Sequence, residues 1–288
     1  MKPSSFIINS TLLLVALIWG AGFVPQRLGL ETLEPMAFNT WRFGFGAVTL
    51  IPLIWLFRIK LSEFISRNTL ISGLILGILL SAAAGFQQIS LGLTKVANVA
   101  FITGFYVIFV PVFGLFFRHR YSLITWLGGG LALLGLALLS GFQGEILFKG
   151  DGFALLGALF WAIHLLAITS FVKRHNQYAL AFYQFVFCVL FSLSANFIFE
   201  SSLFATGSEG YLWALVNGVI VVGIAYTLQI VALKHSDPFA ASVIFSLESV
   251  FGAIAGYWFF QEILGFYGFV GAALMLVGCL LAQWPEKQ

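Results

Sequence analysis

The sequence has little charge for its length. Only 9% of its 288 residues are Asp, Glu, Lys or Arg, whereas 60% are hydrophobic. A soluble core could not bury so much apolar surface, so the composition excludes a water-soluble globular domain and indicates a chain solvated by a bilayer. The formal net charge of +3 is spread over short loops, which argues against a nucleic-acid partner.

Cysteines and enzyme motifs are equally scarce. Cys188 and Cys279 both lie inside apolar runs without neighbouring Cys or His residues, which predicts buried thiols rather than a disulfide or a metal site. The sequence contains no H-E-x-x-H, no G-x-S-x-G and no grouped aspartates. A membrane enzyme is therefore disfavoured, and we expect neither a metal nor another cofactor.

Long hydrophobic runs fill most of the chain. A window of about 20 residues, the length that crosses a bilayer, predicts ten spans. They cover residues 10–29, 35–57, 69–92, 97–117, 122–142, 151–172, 178–200, 209–233, 238–260 and 265–284. The first run is too long for a signal-peptide core and has no A-x-A site after it, so it should remain as a span. The sequence thus predicts an all-α polytopic membrane protein without a soluble domain.

The basic residues predict the orientation, because cytoplasmic loops carry the excess of Lys and Arg. If the N-terminus is inside, the cytoplasmic segments hold Lys2, Arg58, Lys60, Arg67, Arg118, Arg120, Lys173, Arg174, Lys234 and Lys287. The opposite face then has only Arg27, Lys95 and Lys149. We therefore expect both termini to be cytoplasmic, in the cell (inner) membrane.

The two halves of the chain resemble each other. A shift of about 141 residues pairs Gln88 with Gln229, Ala100 with Ala241 and Gly130 with Gly271, and Trp19 falls close to register with Trp161. Two tandem units of five helices must insert in opposite senses, because five is odd. The sequence therefore predicts two inverted repeats, residues 1–145 and 146–288, of the kind that forms a midplane site in many transporters.

Three runs carry a resemblance to a known family. They are "LIWGAGFVPQRLGLETLEPMAFNTWRFGFGAVTLIPL", "TKVANVAFITGFYVIFVPVFGLFFRHRYSLITWLGGGLALLGLALLS" and "SDPFAASVIFSLESVFGAIAGYWFFQEILGFYGFVGAALMLVGCLLA". They resemble the EamA branch of the drug/metabolite transporter superfamily over nearly the whole chain. The resemblance implies ten helices around a central cavity lined mainly by helices 1, 3, 4, 6, 8 and 9. Many members have Pro after the glutamate of helix 9, where this chain has Ser249 after Glu248; the turn glutamate is matched by Glu262.

Two titratable residues lie at similar depth in predicted spans. Glu248 is about 15 Å beyond Pro238 along its helix, near the middle of the membrane, where a charged side chain is costly. It either faces the cavity as a proton carrier or a contact for a cationic group, or it is hydrogen-bonded to a neighbouring helix. His164 lies about 13 Å deep from the same side, as a proton relay or as an interhelical hydrogen-bonding group.

Other candidate residues have polar or aromatic side chains. Arg42 lies inside the second span and needs an acceptor, which is Glu248, a helix carbonyl, a substrate carboxylate or the lipid interface. Trp19 and Trp161 either wall the cavity, where they attract cationic or flat ligands, or pack against lipid. Neutral hydrogen-bonding groups, which are cheap to desolvate, are Gln87, Gln88, Tyr106, Tyr226 and Gln229.

Together these features predict a secondary transporter that moves a small metabolite across the inner membrane by alternating access, in the direction of export. The resemblance admits amino acids, other metabolites and drug-like compounds as substrates. A facilitator without ion coupling and a membrane assembly protein are the alternatives, although an assembly role leaves three ionisable groups inside spans unexplained. The expected partners are a small-molecule substrate and the lipid bilayer. The transport is coupled to protons or uncoupled, and the protein is a monomer or a homodimer; the sequence leaves these alternatives open.

Overall fold

All regular structure that the computed structural model describes is helical. The description covers residues 3–94, 96–116, 121–139, 148–261 and 265–282. The α-helices are α1 (Ser5–Gly29), α2 (Pro35–Leu56), α3 (Leu61–Phe64), α4 (Arg67–Leu93), α5 (Val96–Thr103), α6 (Tyr106–Phe116), α7 (Leu123–Leu139), α8 (Phe148–Phe171), α9 (Gln177–Phe199), α10 (Glu209–Val216), α11 (Thr227–Leu233), α12 (Pro238–Phe245), α13 (Glu248–Phe260) and α14 (Phe266–Ala282). A π-helical segment, Asn217–Tyr226, joins α10 to α11.

Seven helical segments of the described chain are long and apolar enough to cross a membrane. They are Ser5–Gly29, Arg67–Leu93, Val99–Phe116, Lys149–Phe171, Gln177–Phe199, Glu209–Leu233 and Pro238–Phe260. Two further apolar helices, α7 and α14, are shorter. α2 has 22 residues and includes the strongly polar Asn39 and Arg42, and it is not among these seven segments. The count of ten spans therefore stays a prediction.

The first helix begins earlier than its apolar run. The side chain of Ser4 accepts a hydrogen bond from the backbone N–H of Ile7, so α1 starts at Ser5 and not at residue 10. The predicted start of the ninth span is confirmed, because Asp237 caps α12 by accepting from the N–H groups of Phe239 and Ala240 at 2.9 and 3.0 Å. Pro238 occupies the first turn, where its missing N–H costs nothing.

Two of the predicted spans are interrupted rather than continuous. The fourth is divided between Thr103 and Tyr106, and the ninth is divided between Phe245 and Glu248. In the register that pairs Ala100 with Ala241, these two interruptions fall within one residue of each other. The internal repeat therefore extends from the sequence to the backbone geometry, and it places a helix break from each half near Glu248.

Glycines let two antiparallel helices approach closely. A Cβ added at Gly135 of α7 would lie 2.4 Å from the backbone oxygen of Gly271 in α14, and one at Gly128 would lie 2.6 Å from that of Gly278. By contrast, nothing lies within 4 Å of a Cβ at Gly130. Two glycines seven residues apart on each helix thus form the contact, and any side chain there would push the backbones apart.

Two carboxylates join the loops at one end of the bundle. Glu200 accepts hydrogen bonds from the N–H groups of Met36 and Ala37, at 2.6 and 3.0 Å, and so caps α2 from another helix. Glu34 in turn accepts from the N–H groups of Ser201 and Ser202, at 2.8 and 3.0 Å. These hydrogen bonds lower the pKa of the Glu34 carboxyl, and the bond from the N–H of Ser202 has the largest effect on it. The exchange links the α1–α2 loop to the α9–α10 loop.

Several residues used in the sequence predictions lie outside the described ranges. They are the boundary between the two repeats at residues 145 and 146, Glu262, and the basic residues Lys2, Lys95, Arg118, Arg120 and Lys287.

Candidate functional site

A small buried cavity lies where the two helix breaks meet. Its volume is about 30 Å³, which is room for about two water molecules. The first half of the chain contributes Trp19, Phe23, Gln26, Gln87, Thr103 and Tyr106 to its lining. The second half contributes Trp161, Leu165, Val221, Tyr226, Gln229, Phe245 and Glu248. Both repeats therefore build one site.

Aromatic rings form the wall of this cavity. The ring centroid of Trp19 lies 4.9 Å from that of Phe245 and 5.2 Å from that of Tyr226. Trp161 stacks on Tyr226 at 5.8 Å with 15° between the planes, and its centroid is 6.3 Å from that of Trp19. These contacts put both tryptophans in the cavity wall rather than against lipid, since the indoles touch one another across the repeat boundary.

The polar atoms of the lining are poorly satisfied. The indole N–H groups of Trp19 and Trp161 are buried and have no hydrogen-bond partner among the described residues, and neither do the amide oxygens of Gln26 and Gln229. Buried polar groups are normally paired, and the exceptions need an explanation such as water or a ligand. The lining residues thus hold two buried donors and two buried acceptors that have no partner among the described residues.

Glu248 is the charged side chain among the described lining residues. Its side chain is only 4% exposed, and its Oε1 accepts a hydrogen bond of 3.2 Å from the hydroxyl of Tyr106. α13 begins at Glu248, but the N–H groups of Ser249 and Phe251 bond back to Ser246 and Leu247, so the first turn of α13 is not a free helix N-terminus. Among the described residues, this carboxylate is therefore supported by the Tyr106 hydroxyl, which comes from the other repeat.

Serine side chains interrupt the helix before Glu248 without a proline. The hydroxyls of Ser242 and Ser246 donate to the carbonyls of Phe239 and Val243, each at 2.7 Å. The N–H groups of Leu247 and Ser249 bond three residues back, to Ile244 and Ser246, which tightens the turn relative to an α-helix. The helix is thus interrupted before Glu248 although Ser249 rather than Pro follows it, and serine hydroxyls that bond to carbonyls of the preceding turn are known to disturb helices.

The break in the other repeat is held to its surroundings by polar contacts. The amide of Gln87 donates to the hydroxyl of Thr103 at 3.3 Å, just before the interruption between α5 and α6. On the other side, the hydroxyl of Ser249 donates to the backbone oxygen of Ala100 at 2.9 Å. The two broken segments are therefore joined to each other by Ser249 as well as by Tyr106.

Three of the sequence-predicted site residues do not line the cavity. His164 lies behind Trp161, with its ring centroid 5.8 Å from the indole, and its Nε2 is bonded to the Gln184 amide oxygen at 3.0 Å. Gln88 donates to the backbone oxygen of Gln26 at 3.2 Å. Arg42 is bonded to Asn217 instead. The other seven, namely Trp19, Gln87, Tyr106, Trp161, Tyr226, Gln229 and Glu248, all contribute to the lining.

Sequence reasoning missed several lining residues that helical spacing could have revealed. Phe23 and Gln26 lie four and seven residues after Trp19, on the same face of α1. Leu165 likewise lies one turn after Trp161. Thr103 and Phe245 line the cavity because each stands at a helix break; Gly104, which follows Thr103, is a sequence signal for the first break.

A comparison with known protein families decides which family the chain belongs to. A model described as the EamA-like transporter family matches residues 7–141 and again residues 148–284. The chain belongs to the EamA-like transporter family. Its architecture is that of two EamA repeats, and it is a multi-pass membrane protein of a transporter family.

Relatives of this EamA protein are named as transporters whose substrates are not stated. An uncharacterized transporter of Archaeoglobus fulgidus is 30% identical over 276 residues, which covers 94% of this chain and 84% of that protein. The uncharacterized transporter YoaV of Bacillus subtilis is 24% identical over 278 residues, covering 93% of each chain. Membership in the family therefore supports transport without indicating a solute.

A solved structure supports the fold. A protein of known crystal structure superposes with a TM-score of 0.82 at 18% identity, over 97% of this chain and 98% of its own. At that identity the likeness concerns the fold alone.

Proposed function

We propose that this EamA protein is a secondary transporter that exports a small polar metabolite by alternating access through the cavity at Glu248. The observation that carries the proposal is the meeting of two helix breaks, one from each repeat, at a buried cavity lined by both halves. Interrupted helices at the interface of inverted repeats are a recurrent way of building a transport site near the middle of the membrane.

The size of the cavity supports alternating access. The cavity volume of about 30 Å³ is far below the several hundred Å³ of a typical metabolite pocket. A solute can enter only if the Trp19 and Trp161 walls separate, and these residues belong to different repeats. Movement of one repeat relative to the other would thus open the site.

The lining indicates the chemistry of the solute. Two unpaired indole N–H groups and two unpaired amide oxygens suit a solute that carries both acceptors and donors. The carboxylate of Glu248 and the stacked indole and phenol faces favour a cationic or strongly donating group. Such a solute would satisfy the buried polar atoms that the empty cavity leaves without partners.

Glu248 is the proposed site of proton coupling. A buried carboxylate is costly when charged, so it can exchange a proton as its surroundings open and close. Tyr106, rather than His164, supplies the hydrogen bond to this carboxylate. We therefore place Glu248 and Tyr106 in the coupling step, whereas His164 supports Trp161 and α9.

The proposed topology has ten spans, two repeats of residues 1–145 and 146–288, and both termini in the cytoplasm of a cell whose inner membrane holds the protein. Cysteines that replace Ser62 and Gly207 test it, because both positions are exposed and the wild-type cysteines are buried. An impermeant thiol reagent should label position 62 from the cytoplasm and position 207 from outside. Labelling of both from one side would contradict the inverted arrangement. The protein would work as a monomer or as a homodimer.

Transport in liposomes tests the function. Glu248→Gln keeps the side-chain shape but cannot ionise, so the variant should keep counterflow of solute, with weaker binding of a cationic group, and should lose the dependence of net flux on a pH gradient. Glu209→Gln, an exposed carboxylate at the start of α10, is the matched control and should behave as wild type. Unchanged pH-driven flux in Glu248→Gln would exclude proton carriage by Glu248, and wild-type flux independent of any ion gradient would identify a facilitator. Absence of saturable counterflow in wild type would contradict a carrier.

A further inference from the structure

A buried arginine near the cavity is only partly satisfied. The side chain of Arg42, on α2, is 1% exposed. One of its terminal nitrogens, Nη1, donates to Oδ1 of Asn217 at 3.3 Å. Its Nε and Nη2 atoms have no hydrogen-bond partner among the described residues. The guanidinium carbon lies 4.9 Å from the centroid of the Phe43 ring and 5.7 Å from that of Phe38.

Arg42 has no acidic partner among the residues that the structure describes, since the side chain that it contacts by a hydrogen bond is the neutral Asn217. An arginine side chain keeps its proton in proteins, so it cannot avoid burial by becoming neutral. The faces of Phe43 and Phe38 attract the guanidinium cation, but much more weakly than an anion would. Removing a charge from water without a counter-charge is strongly destabilising. Water in the site would supply hydrogen bonds but would leave the charge unbalanced.

The free edge of the guanidinium has the geometry of an anion site. Nε and Nη2 donate side by side, and this pair matches two oxygens of a carboxylate or another planar oxyanion. Asn39 lies one turn earlier on the same face of α2, is fully buried, and has no partner for either amide atom among the described residues. Its amide is thus another buried donor without a partner among the described residues, three residues before Arg42 on α2.

The Arg42 edge is connected to the cavity wall through Asn217. The amide of Asn217 accepts from Arg42 and donates to the backbone oxygen of Gly22 at 3.2 Å, next to the lining residue Phe23. Asn217 also begins the π-helical segment, which ends at the lining residue Tyr226. Binding of a ligand at Nε and Nη2 of Arg42 is therefore linked to the cavity wall through Asn217.

We propose that Arg42 and Asn39 form a buried site for a small monovalent anion, outside the lining of the Glu248 cavity. The ligand is a carboxylate, a planar inorganic oxyanion or a halide. It is either a free anion or the carboxylate group of the transported solute, and both sources share the chemistry that the Nε–Nη2 edge recognises.

Melting of the purified protein in detergent tests the site without any transport. A bulky sulfonate anion, which has no carboxylate, serves as the reference and is replaced stepwise by formate, nitrate or chloride at constant ionic strength. Because a ligand of the folded state stabilises in proportion to the logarithm of its concentration above Kd, the melting temperature should rise on the order of 3 °C. Arg42→Gln should lose this rise, and Arg58→Gln, whose arginine is exposed, should keep it.

A second variant keeps the proposal testable if Arg42→Gln does not insert. Asn39→Leu should shift the half-maximal formate concentration upward about tenfold, the loss expected for one hydrogen bond to a charged group. Equal melting temperatures in all four anions, or the same formate dependence in Arg42→Gln as in wild type, would overturn the site and indicate a water-filled pocket.

Counterflow in liposomes then separates the two sources. If a free anion binds, transport should require formate or chloride in the buffer whatever the solute. If the solute supplies the anion, Arg42→Gln should weaken competition by carboxylate solutes and leave competition by their amides unchanged. Since the melting experiment involves no transport, it can succeed or fail independently of the proposed transport function.

Discussion

The hydroxyl of Tyr106 donates a hydrogen bond of 3.2 Å to Oε1 of Glu248. Tyr106 begins α6 and Glu248 begins α13, so the bond connects the first residue after the helix break in one repeat with its counterpart in the other. Any movement that separates the repeats at this point must break it. The bond is therefore placed to resist opening of the cavity, and protonation of Glu248 would change its strength.

Tyr106→Phe should lower the stability of the protein by about 1 kcal/mol, the net value of a typical intramolecular hydrogen bond. The ring fills the same space, so the variant removes the hydroxyl and little else. Thermal melting in detergent measures the effect, with Tyr257→Phe, a half-exposed tyrosine on α13, as the control. In a Glu248→Leu background the Tyr106 substitution should cost nothing further. An undiminished cost in that background would mean that the hydroxyl acts through another partner.

Trp19→Ala and Trp161→Ala should each raise the solute concentration at half-maximal counterflow about tenfold while leaving membrane insertion intact. Each variant removes one aromatic face from the wall, and an aromatic face in a desolvated site is worth about 1–2 kcal/mol toward a cationic group. Trp258→Ala, 72% exposed on α13, is the control. The measurement is counterflow in liposomes at matched protein amounts. Wild-type half-saturation in both variants would assign the two indoles to helix packing alone.

The general architecture was predictable because membrane insertion depends on properties that are local in sequence. Apolar length predicts most of the spans, and "SDPF" predicts the start of α12 from the Asp237 cap and Pro238. Glu248 was identified as a candidate because a charged group at mid-span is costly, and Trp19 and Trp161 because they occupy nearly equivalent positions in the two repeats. These inferences required no knowledge of how the helices pack.

The orientation of side chains within the bundle was less predictable. Helices such as α8 are apolar on every side, so no amphipathic stripe distinguishes the cavity face from the faces that contact other helices. His164 and Trp161 are three residues apart on α8, yet only Trp161 lines the cavity, whereas His164 bonds to Gln184 of α9. The break before Tyr106 was also missed, because a break held by contacts between helices leaves no Pro signal at that point in the sequence.

Gly135→Ala should destabilise the protein by about 1–3 kcal/mol, the usual cost of overpacking. The added Cβ would lie 2.4 Å from the backbone oxygen of Gly271, and a backbone atom cannot move aside as a flexible side chain does. Gly130→Ala, on the same helix with nothing within 4 Å of its Cβ, should be neutral or slightly stabilising. Thermal melting of the two variants side by side provides the measurement. Equal melting temperatures would show that α7 and α14 separate without cost.

The Glu34 carboxylate should make the link between the two loops dependent on pH. Hydrogen bonds from Ser202 and Ser201 lower its pKa in the folded protein below the ordinary value of 4.5. For a carboxyl group with a lowered pKa, the stabilisation is fully present above the unfolded value and is lost as the pH falls through the folded value. Hydrogen exchange should therefore show the backbone amides of Ser201 and Ser202 protected at neutral pH and progressively less protected in acid, after correction for intrinsic rates.

Glu34→Gln should lower the protection at neutral pH and remove its acid dependence. Glu209→Gln, which replaces a carboxylate exposed in the same part of the chain, should leave both unchanged. Protection that stays constant down to the pH of global unfolding would show that backbone packing, rather than the Glu34 charge, holds the two loops together.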